Sequence, residues 1–71
     1  MRVRDAAAMR AYLRLLGLSE RELAARAGLA PATVNHLLSG RRTACSPRTA
    51  AAIEAVLGCR RGVFFEPDEC G

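Results

Sequence analysis

Lysine is absent from this 71-residue chain, and all eleven basic residues are arginine. With 14 alanines beside them, this reads as the composition of a GC-rich genome, so the choice of arginine says little about function. Aromatic side chains are scarce: Tyr12, Phe64 and Phe65 are the whole set. That scarcity, with the alanine excess, favours small, closely packed helices over a sheet. No run of about 18 apolar residues exists, so nothing is long enough to span a membrane. Arg10 interrupts any apolar region behind the basic start MRVR, so a signal peptide is not expected and a cytoplasmic protein is. There is a single histidine, no paired-carboxylate pattern, no glycine-rich phosphate loop and little room for a cleft, so an enzyme is not expected. Cys45, Cys59 and Cys70 are odd in number and form no C-x-x-C pair. They read as reduced thiols. Metal-ligand spacing is missing, so a zinc site pairing His36 with cysteines is not expected either, nor is any other cofactor or small-molecule ligand.

What is present is one small domain near the lower size limit for unaided folding. A core of this size supplies only about 3–5 kcal/mol, so caps and packing matter. Charge is unevenly placed. Residues 1–65 hold eleven arginines against Asp5, Glu20, Glu22 and Glu54, a balance of +7, and the tail EPDECG returns three negative charges. A body this basic suits a polyanion, with nucleic acid first and an anionic membrane surface second. We expect a folded unit over 1–65 and a disordered acidic tail over 66–71.

Four helices are legible from their punctuation. The first has Asp5 as N-cap, runs to Leu16 and ends at Gly17, with Met9, Tyr12, Leu13 and Leu16 as its buried stripe. Arg10 and Arg14 fall on its solvated side. Ser19-Glu20-Arg21-Glu22 is a capping box that opens the second helix, and Gly28 closes it. Pro31 suits the first position of a third helix ending at Gly40. Ser46-Pro47 is an N-cap followed by proline at the first helical position, and that fourth helix stops at Gly58. The segment RRGVFF reads as one more helical turn whose Val63, Phe64 and Phe65 cap the core.

On a helical wheel Val34, Leu37 and Leu38 share about 100° of arc and must face inward. Ala32, Asn35, His36 and Ser39 lie on the other side, a short polar face free of acids. A helix seated by one side and offering small polar groups on the other can enter a DNA major groove.

The segment LSERELAARAGLAPATVNHLLSGRR resembles the helix-turn-helix of the Cro and repressor (XRE-type) DNA-binding proteins. The matching residues are Leu23-Ala24, Gly28, Val34, Leu37 and Ser39-Gly40-Arg41. Ile53, Leu57-Gly58 and the Val63 to Phe65 ending match the family's fourth and fifth helices, so the likeness covers residues 5–65. It implies an all-α, lambda-repressor-like bundle of four to five short helices that binds double-stranded DNA. By position, Pro31, Ala32, Asn35, His36 and Ser39 would read bases. Ser19, Thr33, Arg41, Arg42, Thr43 and Arg48 would contact the backbone. A homodimer on paired half-sites about 34 Å apart is expected, because one recognition helix buries too little to be selective. The implied role is a small transcriptional regulator, with a phage derivation among the expectations.

Several positions depart from the family pattern. Glu20 stands where relatives often carry a glutamine that buttresses DNA, and a carboxylate there should turn from phosphate or weaken binding. Ala30 replaces the usual serine or threonine cap, a loss of about 1 kcal/mol. Pro31 and Ala32 replace base-bonding side chains. Leu13 and Leu38 occupy the places of a buried Arg–Glu pair, which avoids desolvating charges. The loop before the fourth helix is about two residues longer than in the shortest relatives. Other readings stay open: His36 as a plain surface histidine, Arg41 and Arg42 as a solubilising pair, and Arg2 and Arg4 as either a DNA-reaching arm or a disordered terminus. An antitoxin-like or adaptor protein-interaction module, or an excision and recombination accessory protein, are the alternatives to a regulator.

Overall fold

The computed structural model describes residues 1–60 and 62–67. Arg61, Cys70 and most of the expected acidic tail lie outside the described residues. Four helices carry the fold: α1 (Ala6–Leu16), α2 (Glu20–Ala27), α3 (Pro31–Ser39) and α4 (Pro47–Leu57). Two short strands, β1 (Arg2–Val3) and β2 (Phe65–Glu66), pair antiparallel with Arg2 opposite Glu66 and Val3 opposite Phe65. The chain is all-α in class, with this ribbon as a minor addition.

Local chemistry starts each helix where the sequence directs. Asp5 accepts from the Ala8 amide at 3.1 Å and Ser46 from the Thr49 amide at 3.2 Å. At α2 both halves of the capping box form: Ser19 Oγ accepts from the Glu22 amide at 3.1 Å, and Glu22 Oε1 accepts from the Ser19 amide at 3.2 Å. These bonds satisfy donors that helix geometry leaves orphaned. Ala30 gives α3 no side-chain cap.

Helices α1, α2 and α4 end alike. Beyond each terminal glycine, the next amide bonds a carbonyl five residues back: Leu18 to Leu13 at 3.0 Å, Leu29 to Ala24 at 2.8 Å and Cys59 to Glu54 at 3.2 Å. This Schellman closure tucks the residue after the glycine against the core. Leu18, Leu29 and Cys59 are accordingly half-buried there. At Gly28 φ is +71°, a conformation that costs other residues energy. That turn sets α3 across α2.

The core joins Met9 and Leu13 of α1 to Leu23 and Ala24 of α2, Val34, Leu37 and Leu38 of α3, Ala50, Ile53 and Leu57 of α4, and Phe64 and Phe65. Leu13 and Leu38 are both buried, as apolar replacements for a charged pair require. Leu16 corrects the expected α1 stripe, being 44% exposed. The Schellman turn brings Leu18 onto the core, and Leu16 is left at the rim. Tyr12 is half-buried; its hydroxyl donates to the Leu57 carbonyl at 3.3 Å and its ring lies 5.4 Å from that of Phe64.

The expected fifth helical turn does not form. Val63 is 49% exposed, while Phe64 and Phe65 are buried and lead into β2. The cause is a partner in the N-terminus. Strand β1 bonds on both sides: the Arg4 amide donates to the Phe64 carbonyl at 2.8 Å, and the Val3 amide to the Thr43 carbonyl at 2.8 Å. An isolated bridge joins Arg2 to Ala44. β1 therefore lies between the loop that follows α3 and the end of the chain. A ladder satisfies backbone groups that a lone turn would leave to water. Glu66 belongs to this ribbon and not to a frayed tail. Glu54, a buried acid, accepts from the Gly62 amide at 3.0 Å and ties the last segment to α4.

Candidate nucleic-acid interface

Val34, Leu37 and Leu38 seat α3, each at 1% exposure. The opposite side stays accessible: Pro31, Ala32, Asn35 and Ser39 are exposed, and His36 is half-buried. Of the residues expected to read bases, Pro31, Ala32, Asn35 and His36 share one open hollow of about 340 Å³ with Glu20 and Arg21. Ser39 is not among its walls, and its hydroxyl donates to the His36 carbonyl at 3.3 Å. An intrahelical bond of this kind draws a side chain back along its own helix.

The residues expected at the DNA backbone are spread around this face. Arg41, Arg42, Thr43 and Arg48 are exposed, and Thr33 is half-buried. The Arg42 amide donates to the His36 carbonyl at 3.0 Å, and the Thr43 carbonyl accepts from β1. Backbone bonds thus hold the two arginines just past α3 while their side chains remain outside. Among the described residues neither guanidinium makes an ion pair or a side-chain hydrogen bond. Ser19 is exposed at the start of α2, with its hydroxyl already engaged in the cap. It borders a second hollow of about 200 Å³ whose other walls are Arg10, Leu13, Arg14, Leu18 and Glu20.

Three features are invisible to sequence reasoning. Asn35 Nδ2 donates to Glu20 Oε1 at 3.0 Å, which joins the start of α2 to the outer face of α3. Each residue stands out in the sequence for its own reason, but no local pattern links positions 15 apart. Arg10 does not simply face solvent: its guanidinium donates to the Leu38 carbonyl at the end of α3. A cation there complements the negative end of the helix dipole. Arg2 and Arg4 do not form a disordered terminus. Arg2 Nη2 lies 3.0 Å from Glu66 Oε1, and Arg4 Nη1 donates to the Gly62 carbonyl at 2.7 Å, so both charges are held by the ribbon.

The thiols sit elsewhere. Cys45 and Cys59 are half-buried, and burial first, then the nearby Glu54, pushes the Cys59 pKa up. Among the described residues no three His, Cys, Asp or Glu side chains come together as a metal centre would need. No helix of the described residues is long and apolar enough to cross a membrane.

Exposed small polar groups on a core-seated helix, flanked by arginines with no ionic partner among the described residues, match the demands of a major groove lined by phosphates. Neither curated proteins nor solved structures gave a match to this chain. A family described as helix-turn-helix does match, over residues 9–64. That span takes in most of α1 and all of α2, α3 and α4, and the chain belongs to this helix-turn-helix family of XRE-type DNA-binding regulators.

Proposed function

We propose that the protein is a sequence-specific transcriptional regulator that reads the major groove of double-stranded DNA with α3. The observation carrying this reading is the seating of α3: Val34, Leu37 and Leu38 are buried, while Pro31, Ala32 and Asn35 stand exposed in one hollow beside His36. Ala32 offers a methyl to thymine, Asn35 bonds a base edge, and His36 donates to guanine or reaches the backbone. Pro31 and Ser39 flank these readers at the two ends of the helix. Arg41, Arg42 and Arg48, with Ser19, Thr33 and Thr43, contact phosphates and set the register. Two copies bind paired half-sites one turn of the duplex apart. The setting is the bacterial cytoplasm, at the nucleoid.

Selection of bound duplexes from a random pool tests this directly. The expected result is a palindromic consensus whose affinity drops at least about tenfold when Asn35→Ala and His36→Ala are combined. No enrichment over bulk DNA would refute sequence-specific reading. A partner-binding, antitoxin-like module is the second reading, favoured by the 83% exposure of Leu15 and 49% exposure of Val63. Unchanged DNA affinity in the double variant would support it.

A further inference from the structure

The loop that carries Arg41 and Arg42 is fastened on two sides. The Arg42 amide donates to the His36 carbonyl at 3.0 Å, which ties the loop to the last turn of α3. Further along, β1 holds it: the Val3 amide donates to the Thr43 carbonyl at 2.8 Å, the Cys45 amide donates to the Met1 carbonyl at 2.8 Å, and Arg2 bridges to Ala44. Amides along an extended strand point alternately to its two edges. Val3 donates to the loop, and Arg4 donates to Phe64 on the other side. Through Phe64 and Phe65, both buried, β1 is anchored on the core. The family match begins at Met9, so β1 lies outside it.

We infer that β1 is a clamp for DNA binding: its backbone bonds to residues 43–45 hold the loop after α3 so that Arg41 and Arg42 meet phosphates already in place. A loop without these bonds would sample many conformations, and binding would carry the entropy cost of ordering it. Fixed to both α3 and the ribbon, the two charges keep a constant position relative to the recognition helix, which is what setting a register on the duplex requires. Met1, Arg2 and Val3 are thus positioning residues, and they act through backbone groups. The inference rests on the phosphate contacts proposed above for Arg41 and Arg42.

The test is a double-mutant cycle on the full chain, read as affinity for one fixed DNA duplex and as its salt slope. Val3→Pro removes the amide that faces Thr43 and keeps the Arg4 bond to Phe64. Val3→Ala loses packing against the core but keeps the amide, and so reports a merely structural loss. In wild type, alanine at both Arg41 and Arg42 should weaken binding about tenfold or more. In Val3→Pro the same replacement should matter about threefold or less, and the slope should already be lower by about 0.9 or more. In Val3→Ala the full arginine effect should persist. An arginine effect carried undiminished into Val3→Pro overturns the clamp and leaves the DNA reading intact. Wild-type binding that is absent, or indifferent to Arg41 and Arg42, refutes the phosphate contacts and the clamp with them. If Val3→Pro is unfolded by circular dichroism, Cys45→Pro, which removes the bond to Met1, is read by the same criterion. Where neither folds, amide hydrogen exchange in wild type decides. Val3 and Cys45 should exchange as slowly as Arg4, and exchange at the rate of an open loop overturns the inference.

Discussion

The two ends of the molecule use their arginines differently. At the ribbon end Arg2 and Arg4 are committed to Glu66 and the Gly62 carbonyl. Beyond α3, Arg41 and Arg42 extend from backbone that is pinned by the His36 carbonyl, with no acidic partner among the described residues. Sequence position set Arg41 and Arg42 just past the third helix but left the role of Arg2 and Arg4 open. Pairing separates them. The single carboxylate of Glu66 offsets part of the charge of Arg2 and Arg4 and weakens the field that end presents to a polyanion, whereas an unmatched charge just past α3 adds its full share. The helix starts repeat the contrast: α1, α2 and α4 have side-chain caps, and α3, the helix offered outward, has none.

Removing the aromatic anchor of the ribbon should have the largest effect. Phe65 is fully buried, and Phe65→Ala should cost about 3–5 kcal/mol, comparable to the whole margin of a domain this size. Urea unfolding followed by circular dichroism should find this variant unfolded or nearly so. A midpoint close to wild type would mean that the ribbon is not part of the cooperative core.

The arginine contrast itself is tested by salt dependence. Replacing Arg41 and Arg42 together by alanine should lower the slope of log affinity against log salt by about 1.8, or about 0.9 for each phosphate no longer neutralised. Stability should stay near wild type. Replacing Arg2 and Arg4 should leave the slope alone and reduce stability by well under about 1 kcal/mol, as exposed ion pairs do. Equal slope changes from the two pairs would dissolve the distinction.

A smaller gain should come from supplying the missing cap. Ala30 already has extended backbone, with φ −69° and ψ 139°, so Ala30→Ser should accept a bond from the first turn of α3 and add about 1 kcal/mol. Calorimetry should show Tm rising by about 4–8 °C; no rise would mean that the end of α3 is satisfied by other means.

The smallest effect concerns Cys59, far from the arginine question but close to the ribbon's anchor on Glu54. Burial first, and Glu54 second, hold its thiol pKa above the ordinary value of 9.0. The folded chain therefore keeps this proton longer than the unfolded chain. Stability from this source is full below the ordinary value and declines as pH rises through it toward the folded value. Alkylation of Cys59, followed by peptide mass, should be slower in the native protein than in urea near pH 9, with the thiolate fraction as the cause. Equal rates would place the thiol in ordinary solvent.

Much of this architecture is legible in the chain. Asp5, the box from Ser19 to Glu22, Gly28, Pro31 and Ser46-Pro47 each place a helix end through bonds a few residues long, and α1 to α4 begin and end where those signals put them. The inward face of α3 follows from the spacing of Val34, Leu37 and Leu38. Leu16 deceives because periodicity cannot show that the turn after Gly17 brings Leu18 to the core instead. The ribbon is hidden for a different reason: Val63, Phe64 and Phe65 take their conformation from Arg2 and Val3, at the opposite end of the chain.

The sequence by itself therefore determined the four helices, their order, the seating of α3 and the basic character of the body, since all of these depend on interactions within a few residues or on summed charge. Tertiary structure alone decided which polar groups remain free: it joined Glu20 to Asn35, turned Arg10 onto the end of α3, and closed Arg2 and Arg4 against the last strand. The reason is physical. A hydrogen bond or ion pair depends on separations of about 3 Å, and only the folded chain sets such distances between residues remote in sequence.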